Sequence, residues 1–291
     1  MSNLINRFAP FNPELAQAMQ ANVALALAED IGSGDVTGAL VPEHEMVLAR
    51  VIVREAATLC GAPWFDAVME RLDPRIRVDW AYAEGDAMAA GSEVCHIEAP
   101  ARALLTAERS ALNFLQLLSG VATATQRYVQ LVAGTGAAIL DTRKTLPGLR
   151  LAQKYAVRVG GGMNQRLALY DGILIKENHI AAAGGVRVAM ENALALDAVV
   201  TIQIEVESIA QLSDALDAGA TSVLLDNFSL AQMREAVQVC AGRATLEASG
   251  GINAETVRAI SETGVDRISI GSLTKDVRAT DFSLRIIGRV G

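Results

Sequence analysis

The chain has few of the residues that build metal sites and disulfide frameworks. Its 291 residues include only three cysteines and three histidines. The cysteines form no CxxC pair, and the histidines form no ligand motif with them. We therefore expect reduced, buried thiols and no structural zinc. The residues concerned are Cys60, Cys95, Cys240, His44, His96 and His179.

Long apolar runs and an excess of positive charge are also missing. No apolar run reaches the length of a membrane span, and the opening residues MSNLINRFAP lack the apolar core of a signal peptide. The net charge of −8 and the pI near 5.0 argue against nucleic acid or an anionic membrane surface as a partner. These absences predict a cytoplasmic protein.

Aromatic residues make up only 4% of the chain, whereas hydrophobic residues make up 51%. Ala, Val, Leu, Ile and Gly dominate, which is typical of layered α/β folds. A chain of this length can bury a large core and can hold two domains.

Positive charge is concentrated in one segment, residues 141–179. This segment holds seven Lys or Arg side chains and only three Asp or Glu side chains. A locally basic segment in an acidic protein focuses a field that favours small anions. The segment therefore predicts an anion site.

The first hundred residues predict a β-rich α+β unit. Residues 13–30 have apolar residues at helical spacing after a proline, and residues 31–42 are a glycine-rich loop. Strand-forming residues cluster between turn signals at 46–61, 76–86 and 92–100. Residues 101–134 predict a helix that is broken near Ser119–Gly120.

After Gly134 short apolar runs alternate with segments of helical length. This alternation predicts a parallel sheet with right-handed crossovers, and the number of units indicates an α/β barrel. The predicted strands lie near 137–141, 173–176, 199–206, 222–226, 244–248 and 267–270, and the predicted helices at 186–196, 208–217, 229–240 and 254–263.

The ends of these runs carry polar, charged or glycine residues, and the carboxyl ends of parallel strands meet at the edge where ligands bind. Arg143, Lys144, Arg166 and Lys176 are candidates for binding carboxylates or phosphates. Near them, the carboxylates of Glu205 and Asp226 are candidates for binding Mg²⁺ or ribose hydroxyls. The alternative is that they form ordinary ion pairs at this edge of the sheet.

Two glycine-containing loops follow the last two predicted strands, at residues 248–253 and 269–272. Backbone N–H groups at such loops commonly bind a phosphate. No Ser-His or Cys-His pair is well placed for covalent catalysis, so positioning and electrostatics are favoured, as in transfer of a phosphorylated sugar. A barrel lyase that forms a Schiff base on Lys176 is the alternative. From its helical face alone, Arg109 is interpreted as a surface residue.

Several stretches of the sequence resemble signature stretches of the quinolinate phosphoribosyltransferase family and occur in the same order. The family is also called carboxylating nicotinate-nucleotide pyrophosphorylase. They are EDIGSGDVT, AERSALNFLQLLSGVAT, DTRKTLPGLR, QKYAVRVGGG, LIKENH, LLDNF and GVDRISIGSLT. The resemblance implies the α/β fold of type II phosphoribosyltransferases. That fold has an N-terminal α/β sandwich (1–112 with 275–291) and an incomplete α/β barrel of about six strands (113–274).

The resemblance also implies the reaction: quinolinate and 5-phosphoribosyl-1-diphosphate give nicotinate mononucleotide, diphosphate and carbon dioxide, in NAD biosynthesis. It implies Mg²⁺ near Glu205 and Asp226, held largely through the donor diphosphate, and no organic cofactor. It further implies a homodimer with shared active sites, or a hexamer, in which Arg109 enters the neighbouring pocket.

The residues implied to contact quinolinate are Arg109, Thr142, Arg143, Gln165, Arg166 and Lys176. Those implied to contact the phosphoribosyl donor are Lys144, Glu205, Asp226, Ser249, Gly250, Gly251, Gly271 and Ser272. Catalytic roles are implied for Lys144, Lys176, Glu205 and Asp226.

One departure from the family's pattern matters for the site. The family usually has Asn-His-Arg after the triple glycine, whereas this chain has Asn164, Gln165 and Arg166. Gln165 can donate a hydrogen bond to a carboxylate but cannot become cationic. We therefore expect quinolinate to bind with a pH dependence that is flattened near neutrality. This departure also leaves open a repurposed relative of the family that acts as an anion-binding accessory protein.

Overall fold

A computed structural model describes residues 2–42, 44–196 and 198–290. The chain forms two compact units. The first comprises Met1–Gln126, Leu146–Gly161 and Asp276–Gly291, and the second comprises Arg127–Thr145 and Gly162–Lys275.

The first unit contains a four-stranded antiparallel sheet in the order β12-β1-β5-β3 and a small pair of β2 and β4. The C-terminal strand β12 pairs with β1, so the chain end returns to this unit. Its strands are β1 (Met46–Val53), β2 (Ala57–Thr58), β3 (Arg77–Trp80), β4 (Ala87–Met88), β5 (Glu93–Pro100) and β12 (Phe282–Arg289).

The α-helices described in this unit, or beginning in it, are α1 (Pro13–Ile31), α2 (Ala62–Leu72), α3 (Ala101–Leu131) and α4 (Arg150–Val159). Helix α1 confirms the prediction at 13–30. The side chain of Asn12 accepts a hydrogen bond from the backbone of Leu15, and Pro13 opens the first turn.

Helix α3 is continuous, so the predicted break near Ser119–Gly120 is wrong. The hydroxyl of Ser119 accepts a hydrogen bond from the Cys60 N–H and donates one to the Cys60 carbonyl, each at 3.0 Å. A Cβ on Gly120 would lie 2.3 Å from the carbonyl oxygen of Arg278. The glycine therefore permits close packing against another backbone and does not end the helix.

A buried carboxylate lies at the start of α2. Glu84 is fully buried and accepts hydrogen bonds from the N–H groups of Gly61 (2.8 Å) and Ala62 (3.2 Å) and from the Tyr155 hydroxyl (2.9 Å). Burial raises the pKa of Glu84 to about 7, even though these hydrogen bonds favour the charged form.

The second unit is a six-stranded, wholly parallel sheet in the order β6-β11-β10-β9-β8-β7. This arrangement confirms the six predicted strands of an incomplete barrel. The strands are β6 (Ala138–Leu140), β7 (Gly172–Ile175), β8 (Thr201–Val206), β9 (Ser222–Asp226), β10 (Thr245–Ser249) and β11 (Arg267–Ser269).

Helices follow the strands of the second unit as the alternation predicts. Ser208 and Ser229 cap α7 and α8 through their hydroxyl groups. The helices are α5 (Glu177–Ala183), α6 (Val186–Ala195), α7 (Ile209–Asp217), α8 (Leu230–Cys240), α9 (Val257–Ser261) and α10 (Ser272–Lys275). In the described part of the chain, no helix is long and apolar enough to cross a membrane.

The units divide the chain differently from the predicted domain boundaries. Residues 113–126 and 146–161 belong to the first unit, and Lys275 belongs to the second. The reason is core packing: Leu115, Leu118 and Tyr155 are buried in the hydrophobic cluster of the first unit. The aromatic ring of Tyr155 lies 5.4 Å from that of Trp64. Sequence patterns do not reveal which core a helix joins.

Candidate active site

Most predicted site residues of the second unit lie at or just after the carboxyl ends of its strands. Gln165 and Arg166 instead lie in the segment beside β6, and Arg166 contacts Gly172, the first residue of β7. Parallel strands bring their carboxyl ends to one edge although these ends are far apart in the sequence. Thr142, Arg143 and Lys144 follow β6, Lys176 follows β7, Glu205 lies near the end of β8, Asp226 ends β9, Ser249 ends β10, and Gly271 and Ser272 follow β11.

Lys176, Glu205 and Asp226 form one charged group on three neighbouring strands. The Lys176 Nζ lies 3.2 Å from Glu205 Oε2. Burial raises the pKa of Glu205 above its ordinary value; the nearby Asp226 adds to this effect, while the positive charge of Lys176 opposes it. The group thus holds two carboxylates and one ammonium within interaction range of each other.

Arg143 and Arg166 form a second, cationic group. The pKa of Arg166 is lowered, first by partial burial and second by the positive charge of Arg143. Both Nε atoms are buried and have no hydrogen-bond partner among the residues that the structure describes. Arg166 Nη1 donates to the carbonyl of Gly172 at 2.8 Å. Two adjacent guanidinium groups with buried, unpaired N–H groups are suited to binding an anion.

Asp141 positions the segment that carries Gln165 and Arg166. The Asp141 carboxylate is fully buried and accepts hydrogen bonds from the Asn164 side chain (2.6 Å) and from the backbone of Gln165 (3.0 Å). The Met163 N–H donates to the Ile139 carbonyl at 2.8 Å, which aligns the segment with β6. The segment is therefore held beside the first strand of the barrel.

A chain of hydrogen bonds extends from Gln165 into the barrel. Gln165 Nε2 donates to Gln203 Oε1 at 2.8 Å, and Gln203 Nε2 donates to Glu247 Oε2 at 2.9 Å. We call Gln165, Gln203 and Glu247 the crossbar, because it joins three parts of the barrel wall. Sequence analysis did not identify Glu247. The available signal was the alternation in TIQIEV, which puts Gln203 on the same strand face as Glu205.

Lys144 lies against the loop that follows β11. A Cβ on Gly271 would lie 3.2 Å from Lys144 Cδ and 3.9 Å from its Nζ. The Thr142 hydroxyl accepts a hydrogen bond from the Lys144 N–H at 3.1 Å, and Thr274 donates to the Lys144 carbonyl at 2.7 Å. The structure thus brings Thr142, Lys144 and Gly271 together.

Asp226 is joined to the glycine loop after β10 through Asn227, which sequence analysis did not single out. The Asn227 side chain donates to Asp226 Oδ2 at 2.9 Å, and its backbone N–H donates to the Ser249 carbonyl at 3.0 Å. Asn227 has a positive φ of 56°, a conformation that Asn tolerates better than most residues. Gly250 and Gly251 come directly after Ser249 and have φ of +102° and +58°.

Arg109 belongs to the other unit. It lies on the exposed side of α3, within Met1–Gln126. The other predicted site residues all lie in the second unit. Arg109 is therefore the one predicted site residue that lies in the first unit.

The carboxylates of Glu205 and Asp226 fit a cation that is held mainly by a ligand. In the described ranges, no three His, Cys, Asp or Glu side chains cluster closely enough to hold a metal ion by themselves. Carboxylate oxygens suit Mg²⁺, which is usually bound by one or two carboxylates together with substrate phosphates.

Two family models match the sequence. One is described as quinolinate phosphoribosyl transferase, N-terminal domain, and matches residues 35–119. The other is described as the C-terminal domain of the same enzyme and matches residues 121–285. The chain belongs to the quinolinate phosphoribosyltransferase family.

Relatives match the chain over most of its length. A nicotinate-nucleotide pyrophosphorylase [carboxylating] of Mycobacterium leprae is 41% identical over 277 residues, covering 92% of this chain and 96% of the relative. A probable enzyme of the same name in Bacillus subtilis is 39% identical over 259 residues, covering 89% and 90%. These coverages place both domains of the family in this chain.

The fold also agrees with a solved family member. The nicotinate-nucleotide pyrophosphorylase of Francisella tularensis has a TM-score of 0.91 at 42% identity, covering 93% of this chain and 96% of that chain. The predicted fold class, a sandwich domain followed by an incomplete barrel, is therefore confirmed.

Proposed function

We propose that this chain transfers the phosphoribosyl group of 5-phosphoribosyl-1-diphosphate to quinolinate and decarboxylates the product. The products are nicotinate mononucleotide, diphosphate and carbon dioxide. Membership of the quinolinate phosphoribosyltransferase family supports this reaction, and relatives of the chain carry the corresponding enzyme names.

The observation that carries the proposal is the pair of Arg143 and Arg166. Their buried Nε–H groups have no partner in the described part of the chain, and two neighbouring cations raise each other's electrostatic energy until an anion binds. Quinolinate supplies two adjacent carboxylates. The clamp for these carboxylates is therefore Arg143, Arg166 and Lys176, with Thr142 and Gln165 at its edge.

Binding aligns the ring nitrogen of quinolinate with C1 of the ribose. A bond forms between them while the bond from C1 to the diphosphate oxygen breaks, and the diphosphate leaves with the electron pair. Positive charge develops on the ribose, and Glu205 and Asp226 supply negative charge nearby. The bond between C2 and its carboxylate then breaks, and carbon dioxide leaves while the electron pair stays on C2. The positive charge of the alkylated ring nitrogen stabilises this pair, which then takes up a proton.

The donor side of the site is formed by Lys144 and the two glycine loops. Lys144 lies beside Gly271, where a cation can neutralise phosphate oxygens, and Ser249, Gly250, Gly251 and Ser272 offer backbone and hydroxyl donors to the 5-phosphate. When bound, Mg²⁺ supplies charge neutralisation on the donor diphosphate next to Glu205 and Asp226.

A homodimer with shared active sites is part of the proposal, with a hexamer as the larger assembly. Arg109 is exposed in the first unit, so it is available to enter the pocket of a neighbouring subunit. The cytoplasm is the proposed compartment.

The Schiff-base alternative on Lys176 is less well supported. A nucleophilic amine must be uncharged, whereas Lys176 forms an ion pair with Glu205 at 3.2 Å. Among the predicted site residues, Gln165 alone favours a purely accessory role. Cationic, acidic and glycine residues at the carboxyl ends of the strands favour catalysis instead.

The test is diphosphate release and nicotinate mononucleotide formation by the purified protein with Mg²⁺. Both products should require quinolinate and the phosphoribosyl donor together. Release of diphosphate without quinolinate, or binding of quinolinate with no product, would contradict the proposal. Removal of Mg²⁺ with a chelator should abolish turnover while quinolinate binding persists.

A further inference from the structure

The crossbar lines a cavity in the second unit that Arg166 also lines. Gln203 and Glu247 lie on β8 and β10, strands that are separated by β9, and Gln165 lies beside β6. Gln203 is 7% exposed and Glu247 is 1% exposed. Hydrogen bonds between such groups offset part of the free energy that their burial costs.

The crossbar has a defined direction. The Glu247 carboxylate accepts a hydrogen bond from Gln203 Nε2, so the amide oxygen of Gln203 points the other way, towards Gln165. An amide oxygen is only an acceptor, and Gln165 must therefore present its Nε2 to Gln203. The carboxylate at one end thus sets the orientation of the amide at the other end.

Gln165 has room to adopt another orientation. Gln165, Arg166, Gln203 and Glu247 all line one cavity of about 640 Å³ in the second unit. Arg166 follows Gln165 directly, and its Nε–H is buried without a partner among the described residues, as is that of Arg143. Because Gln165 and Arg166 are adjacent in the chain and line the same cavity, we expect an amide released from Gln203 to compete for the Arg166 guanidinium group.

We propose that Gln203, anchored by Glu247, is a positioning residue that keeps the Gln165 amide away from the two arginines, so that the clamp stays open for carboxylates. This inference rests on the proposed function for the identity of the dicarboxylate. It assigns Gln203 and Glu247 an indirect role, because they hold a neighbour and do not touch the ligand. A clamp that is organised before binding does not lose affinity to an internal competitor.

The test begins with Gln203→Met, which keeps the side-chain length and removes the acceptor for Gln165. The KM and the directly measured Kd for quinolinate should rise about five- to tenfold, the equivalent of one competing hydrogen bond. The KM for the phosphoribosyl donor should stay within about twofold, because Lys144 and the glycine loops are not part of the crossbar. An unchanged Kd for quinolinate would overturn the inference.

The decisive variant adds Gln165→Ala to Gln203→Met. If a released Gln165 blocks the arginines, removing its amide should return the quinolinate Kd to that of Gln165→Ala alone. If Gln203 acts only by supporting the barrel, the second substitution should leave the weakened binding as it was or worsen it. That result would refute the positioning role.

Two further variants control for folding. The double variant Gln203→Met with Glu247→Leu removes both partners of the hydrogen bond between Gln203 and Glu247, so no buried carboxylate loses its donor. It should show the same loss of quinolinate binding as Gln203→Met alone. Thr245→Val changes the same cavity wall outside the crossbar, and it should bind quinolinate as the unaltered protein does. Failure of the unaltered protein to bind quinolinate would instead count against the proposed function.

Discussion

The glycine loop after β10 allows a prediction with a matched control. Gly250 and Gly251 are neighbours, and both have positive φ. A Cβ on Gly250 would lie 2.1 Å from Asn227 Oδ1 and 3.0 Å from the Asn227 backbone nitrogen, whereas a Cβ on Gly251 would meet nothing within 4 Å. Gly250→Ala and Gly251→Ala therefore differ mainly in whether they displace Asn227.

The expected costs follow from this geometry. Gly251→Ala places alanine in the left-handed region, at a cost of about 1–2 kcal/mol. Gly250→Ala holds alanine at φ of +102°, which costs about 1–3 kcal/mol. It also pushes away the Asn227 amide that donates to Asp226 at 2.9 Å. Loss of that bond at a half-exposed carboxylate costs about a further 1 kcal/mol.

The assay is steady-state kinetics against each substrate, with thermal unfolding in parallel. Gly250→Ala should lower kcat/KM for the phosphoribosyl donor about tenfold below Gly251→Ala, because Asp226 loses the group that orients it. Both variants should keep the KM for quinolinate. If the two variants have the same kcat/KM for the donor, or if Gly250→Ala instead weakens quinolinate binding, the reasoning about Asn227 is wrong.

Four further predictions concern single side chains. Arg166→Lys should raise the KM for quinolinate about tenfold or more, because Lys lacks the planar fork that pairs with carboxylates; an unchanged KM would contradict the clamp. Lys176→Ala should reduce kcat/KM for quinolinate and raise the pKa of Glu205 further, since the ion pair at 3.2 Å is lost; carboxyl NMR shifts measure the second effect, and Lys176→Arg is the control. Gln165→His should make quinolinate binding stronger at pH 6 than at pH 8, because the new side chain becomes cationic near pH 6.5; identical profiles of both forms over pH 6–9 would contradict this. Glu84 has a folded-state pKa of about 7 against an ordinary value of 4.5, so its stabilising contribution is fully present below pH 4.5 and is lost as the pH rises through 7. The free energy of unfolding should therefore fall by up to about 1.4 kcal/mol per pH unit between these values, and Glu84→Gln should remove that slope in urea titrations.

The strands of the second unit could be predicted from the sequence because burial of both strand faces limits which residues a strand can contain. A strand that is covered on both faces needs a short apolar run, and β9 (SVLLD) has three fully buried residues between two partly exposed ones. The polar residues at the ends of such runs also follow from local sequence. Their meeting at one edge follows from parallel topology, so Lys176, Glu205 and Asp226 could be grouped before any coordinates.

The crossbar could not be predicted in the same way. Its two hydrogen bonds join residues that are 38 and 44 positions apart, and the strands of Gln203 and Glu247 are not adjacent in the sheet. Nothing in TIQIEV or TLEAS signals which buried polar side chains meet across a barrel. The unbroken α3 is a similar case, because the role of Gly120 depends on a distant backbone carbonyl.

The sequence by itself determined the parallel α/β architecture of the second unit and the charged residues at its strand ends, because periodicity and strand-end chemistry are local properties. The tertiary structure decided which helices join which core, which amide holds Gln165, and how Asn227 connects Asp226 to the glycine loop. Those features depend on packing between segments remote in the chain, where the energy of a contact is set by shape and burial and leaves no mark on the local pattern.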